Sequence, residues 1–182
     1  MKGMAANTIS INRAPVLTLW AAVVAERLGF DKDEALTLGK VLAGLNAQSK
    51  GRRLGIFKPH EETAKKAREK KRGEQFWIEL LGRNLPAIAT DDGIRAVQGD
   101  KAIAPASVER YLQSKFGDNL DAVRSAMKQL AHSFAPQELV AAAFSLYEEF
   151  RPEIPAGVRG WGAQGNLDLD LIKRLANQGG AG

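Results

Sequence analysis

Apolar residues first recur at helical spacing after Pro15, where Val16, Leu19, Trp20, Val23, Val24 and Leu28 fall three or four apart until Gly29. Proline is tolerated in a first turn because its missing N–H has no intrahelical acceptor there, and glycine just past the end stops the run. The spacing predicts a helix over 15–28. Asp31 with Glu34 three residues on has the form of a capping box, and Ala35, Leu38, Leu42 and Leu45 carry a second apolar stripe to about Ser49. These two elements are expected to form a helical hairpin with a very short joint.

Helical periodicity is absent from 50 to 73, which contains Gly51, Gly55 and Pro59 and then a run of Lys, Arg and Glu. That composition predicts a linker. From Glu74 the pattern shortens to partial alternation around Phe76, Trp77 and Ile78, followed by short apolar runs at 87–90, 94–97 and 101–103. Turns at Gly82 to Asn84, at Asp92 with Gly93, and at Gly99 with Asp100 separate them, which predicts a small antiparallel meander of three or four strands. Helical spacing returns behind Ser107, an expected N-cap, with Val108, Tyr111, Leu112 and Phe116 ending at Gly117. Asp118 is the expected cap of a helix carrying Leu120, Val123, Met127, Leu130 and Phe134, and Pro136 opens another through Leu139, Ala143, Leu146 and Phe150 to Pro152. A Pro- and Gly-rich loop from Glu153 to Gly165, a short helix over 167–176 and a disordered tail from Gly179 complete the expectation. The fold class is therefore α+β, in three parts: an N-terminal helical hairpin (1–49), a basic linker (50–73), and a small antiparallel sheet with a C-terminal helical group (74–182).

Composition narrows the chemistry. The chain has 182 residues, enough to bury a sizeable core, with 45% hydrophobic and 26% charged positions. Zero cysteines exclude disulfides, thiolate metal sites and cysteine nucleophiles, and two histidines, His60 and His132, leave little imidazole chemistry. The formal charge of +5 is unevenly spread: residues 50–72 hold ten basic against three acidic side chains, net +7, between parts of +1 and −3. Such a localised excess suits a polyanion. The longest apolar candidate for a membrane span, 16–28, is interrupted by Glu26 and Arg27, and the start does not read as a signal peptide, so a cytoplasmic location without membrane contact is expected.

From Val24 the string VAERLGFDKDEALTL (24–38) resembles the helix-turn-helix motif of DNA-binding regulators: Val24, Ala25, Leu28, Gly29, Phe30, Ala35 and Leu38 fall at its apolar, small and turn-glycine positions. The resemblance covers this stretch alone. It implies that the second helix enters the major groove with Lys32, Asp33, Leu36, Thr37 and Lys40 toward the DNA. Lys50, Arg52 and Arg53 follow that helix at once, and Lys65, Lys66, Arg68, Lys70, Lys71 and Arg72 supply further phosphate contacts. Nucleic acid, DNA before RNA, is accordingly the expected partner.

The competing expectation is a protein-interaction or assembly module, a homodimer among the options, in which the basic part is only a solvated tether. An exposed Trp20 beside Val16 and Val23 would favour that module. Phe76 and Trp77 are adjacent on one expected strand, so at most one is free to stack on a base. GWGAQG at 160–165 matches a dinucleotide-binding string literally but lacks the preceding strand and the acid some 20 residues on, so no cofactor is expected. His132 reads as a structural imidazole, and Asp91, Asp92, Asp168 and Asp170 as turn or cap residues. No catalytic signature and no metal-ligand spacing is present, and no enzymatic activity is expected.

Overall fold

The structure, a computed structural model, describes residues 8–49, 73–99, 101–152 and 164–181. In chain order these residues form β1 (Thr8–Asn12), α1 (Arg13–Arg27), α2 (Lys32–Ser49), β2 (Gln75–Leu80), β3 (Arg83–Thr90), β4 (Gly93–Gln98) and β5 (Lys101–Ala102). There follow α3 (Pro105–Phe116), α4 (Leu120–His132), α5 (Pro136–Phe150), β6 (Gln164–Asp168) and α6 (Leu169–Ala181). The α+β class is as expected, with an N-terminal helical pair, an antiparallel meander and C-terminal helices.

The core is built around α1. Every residue from Pro15 to Ala25 is buried, so the apolar stripe of the sequence is in fact only one side of a helix enclosed on all sides. α2 covers one flank, and α3, α4 and α5 cover the others. Trp20 is fully buried; its indole N–H donates to the Ala143 carbonyl of α5 at 2.9 Å, and its ring stands edge-on to Phe150 at 5.3 Å. Val16, Trp20 and Val23 are all inside the chain's own core and form no exposed helical seam. Gly29 turns the chain between α1 and α2 with φ +112°, a conformation that costs a side-chain-bearing residue energy. The close approach of the two helices lies further on, at Gly39, where a Cβ would collide with the Thr18 carbonyl oxygen and crowd the Ala22 nitrogen at 3.1 Å.

The meander has strand order β2-β3-β4-β5, all antiparallel, and packs its inner side chains Phe76, Ile78, Leu85, Ala87, Ile94 and Ala96 toward the helices, with β4 lying on α2. Strand alternation puts Phe76 inside, 7% exposed, and Trp77 outside, 54% exposed.

Several local expectations are corrected. Thr8–Asn12 and Gln164–Asp168 pair as a second antiparallel sheet, Asn12 opposite Gln164 and Thr8 opposite Asp168. Each segment is too short to announce itself, and the partner lies some 150 residues away. Consequently 164–168 is strand where loop and helix were expected. α3 begins at Pro105, two residues before Ser107, whose hydroxyl donates to the Ala104 carbonyl at 2.7 Å instead of capping the helix. Asp118 lies in a 3₁₀ turn (Gly117–Asn119) ahead of α4. The last helix runs to Ala181, through the expected disordered tail, and starts behind Asp168, whose Oδ1 accepts from the N–H groups of Asp170 and Leu171 at 3.0 and 3.3 Å. His132 is exposed at the end of α4.

Candidate nucleic-acid interface

α2 starts with the capping box read from its sequence. Asp31 Oδ1 accepts from the Glu34 N–H at 2.8 Å, and Glu34 Oε1 accepts from the Asp31 N–H at 2.9 Å. The same Glu34 is 1% exposed, and its second oxygen accepts from the Ile94 N–H at 3.0 Å. One carboxylate therefore caps α2 and ties it to β4. Thr37, one turn on, has 0% exposure; its hydroxyl donates to the Glu34 carbonyl at 2.9 Å and accepts from the Ala96 N–H at 3.0 Å.

This arrangement corrects part of the helix-turn-helix expectation. Thr37 and Leu36 do not face a groove: Thr37 bonds to the backbone of β4 and Leu36 is 3% exposed. Of the five positions that the resemblance turns toward DNA, these two are buried, whereas Lys32 and Asp33 are exposed and Lys40 is partly so. Thr37→Val removes the hydroxyl at nearly constant shape and leaves the Ala96 N–H without an acceptor. We expect it to lower unfolding free energy by about 1–3 kcal/mol in urea denaturation. DNA affinity, measured on the folded protein, is expected to stay unchanged.

Lys32 and Lys40 remain at the surface. Lys32 is exposed and lines a cleft of about 560 Å³ with Asp33, Leu36, Asp92, Arg95, Pro105, Ala106 and Glu109. The cleft is mixed in charge. Arg95 on its wall is 9% exposed and donates from Nη1 to the Ile94 carbonyl at 2.9 Å. Glu109 is bound by Arg124 at 2.7 Å, which holds its carboxyl below the usual range against the opposing effect of burial. Lys40 lies two turns further along α2, with its ammonium 3.9 Å from the centroid of Tyr111 on α3. Lys115 approaches the same ring at 6.0 Å. Burial, and then the neighbouring Lys115 charge, lower the pKa of Lys40. The Lys32 charge also helps to lower the Glu109 pKa, whereas Lys40 has no carboxylate partner among the described residues.

Lys50, Arg52, Arg53, Lys65, Lys66, Arg68, Lys70, Lys71 and Arg72 lie outside the described residues, as do 160–163 of the glycine-rich string and His60. Among the described residues no cluster of His, Asp or Glu is arranged to hold a metal ion, and no helix is long and apolar enough to cross a membrane. Sequence reasoning missed Tyr111 and Lys115 as partners of Lys40. Tyr111 occupied an apolar position of its helix pattern, and nothing local ties that helix to α2. No protein family, curated protein or solved structure was found to match this chain.

Proposed function

We propose that this protein binds nucleic acid, double-stranded DNA before RNA, through phosphate contacts made by the segment 50–72 together with the α2–α3 face. In this reading α2 supports the contact and does not read bases. The observation that carries it is the Lys40–Lys115 pair, two ammonium groups against one tyrosine ring with no carboxylate to neutralise them among the described residues. From Lys40 to the end of α2 at Ser49 the helix rises about 14 Å, and the net +7 segment follows at once. A phosphate backbone supplies the counter-charge to both, and such contacts fix a protein on a duplex without specifying sequence.

The test is a titration of labelled duplex DNA at two salt concentrations with wild type, the Arg52→Gln, Arg53→Gln pair and the Lys40→Gln, Lys115→Gln pair. Each phosphate contact removed is expected to flatten the log–log salt slope by about 0.9 and to weaken binding equally across unrelated sequences. Wild type that fails to bind at low salt sinks the proposal. Strong discrimination between sequences, lost with Lys32→Ala, would restore the groove-reading role of α2.

One observation favours the alternative, a protein-contact module. Trp77 on the outer face of β2 is 54% exposed, opposite Pro86 on β3 in the register, with Ile88 half-buried two positions along that strand. Under that reading Trp77→Ser abolishes self-association or partner capture and leaves DNA affinity unaltered, which light scattering after gel filtration and the same DNA titration would separate.

A further inference from the structure

The junction of α1 and α5 gathers a second group of cations that the nucleic-acid reading does not use. Arg13, the first residue of α1, donates from Nε to the Pro152 carbonyl at 2.9 Å. The preceding residue, Arg151, closes α5: its backbone N–H donates to the Tyr147 carbonyl at 2.7 Å, and its guanidinium carbon lies 5.9 Å from the Tyr147 ring centroid. Both guanidinium groups are thus tied to the same end of α5. Among the described residues neither is paired with a carboxylate. Burial lowers the pKa of Arg13 first, and the Arg151 charge lowers it further.

Tyr147 completes the group. Its side chain is 2% exposed, and its hydroxyl has no hydrogen-bond partner among the described residues. Its ring, 5.9 Å from the Arg151 guanidinium carbon, brings the phenol to the same end of α5. Burial pushes its pKa up to about 12, while the Arg151 charge and then the Arg13 charge act to lower it. The start of α1 adds a third feature of the same sign: Asn12 gives it no side-chain cap, and its first turn holds no acidic residue.

A cation at the end of α5 is what the helix dipole favours, and one arginine satisfies it. The second adds like-charge repulsion, since guanidinium does not give up its proton to relieve it. A tetrahedral oxyanion relieves that repulsion, because it accepts bonds from two guanidinium forks and from a neutral hydroxyl at once. We infer that the α1–α5 junction is a binding site for a phosphate group, held by Arg13 and Arg151 with the Tyr147 hydroxyl as a third donor. Pro152 and Gln164, the described residues that flank 153–163, both sit at this junction, the first on Arg13 and the second paired with Asn12.

Free phosphate and the phosphoryl end of a small molecule share this chemistry, so inorganic phosphate and a nucleoside 5′-monophosphate are the two probes, titrated calorimetrically at constant ionic strength. The expected result is saturable binding of at least one. A clearly tighter monophosphate identifies the phosphoryl end of a small molecule as the source, and equal affinities identify the bare ion. Arg13→Gln or Arg151→Gln is expected to weaken binding by about tenfold, with circular dichroism unchanged. Should either variant fail to fold, Tyr147→Phe removes only the hydroxyl oxygen and is expected to weaken binding several-fold. The Nε–Hε resonance of Arg13 is expected to shift on titration in wild type. No saturable binding of either probe, or binding that survives the Arg13→Gln, Arg151→Gln double substitution, overturns the inference. The Lys40→Gln, Lys115→Gln protein should bind phosphate normally, so loss of DNA binding and loss of phosphate binding are distinguishable.

Discussion

Trp20→Ala is expected to lower unfolding free energy by about 3–5 kcal/mol, a large part of the roughly 5–15 kcal/mol that holds a domain folded. The side chain is fully buried at the centre of a helix that is itself enclosed, so its removal leaves a cavity with packed walls on every side. It also removes the bond to the Ala143 carbonyl and the edge-on contact with Phe150, which link α1 to α5. The midpoint of thermal unfolding is expected to fall by roughly 6–20 °C for a chain of this size. Trp20→Phe separates the contributions: it keeps an aromatic ring, loses the N–H donor, and is expected to cost less than half as much. A Trp20→Ala protein with unchanged urea midpoint would mean that α1 is not the centre of the core.

Gly39→Ala is expected to destabilise although alanine is the better helix former by about 1 kcal/mol. At an open helical site the substitution would therefore stabilise. Here the added Cβ meets the Thr18 carbonyl oxygen, a backbone atom inside a buried helix that cannot swing aside, and the Ala22 nitrogen lies close behind it. Relief requires α1 and α2 to separate, which opens gaps along the whole hairpin. A net loss of about 2 kcal/mol or more in urea denaturation is expected, and more for Gly39→Val. Gly82→Ala is the control for the crowding term. Nothing lies within 4 Å of the position a Cβ would take there, and its φ of +78° makes any cost one of backbone strain alone. Increased stability in Gly39→Ala would show that the helices cross elsewhere.

Gly29 and Gly39 serve the same helical hairpin but differ in what the sequence shows of them. Gly29 was legible as the turn between the helices, since a glycine that ends an apolar periodic run has a local explanation. Gly39 was not, because inside a helix glycine carries no local sign of what faces it. Asp31 and Glu34 were legible as a capping box because three residues of separation define one. That Glu34 also accepts from Ile94, 60 positions away, was not. The candidate site divides in the same way: Lys32 and Lys40 are at the surface as read, whereas Thr37 is a buried hydrogen-bonding link to β4.

The sequence by itself determined the hairpin, the meander, the helical group and the concentration of positive charge in 50–72, because periodicity, turn residues and charge are properties of neighbours along the chain. The tertiary structure alone decided which positions of α2 are free, that β1 and β6 pair across the chain, that Trp20 is enclosed, and that Arg13 bonds to the Pro152 carbonyl, at the end of α5 where Arg151 lies by the Tyr147 ring. Each of these depends on contacts between residues far apart in sequence. An amphipathic helix specifies that one side is buried, but the strand and helix that cover its other side are chosen by the packing of the whole core.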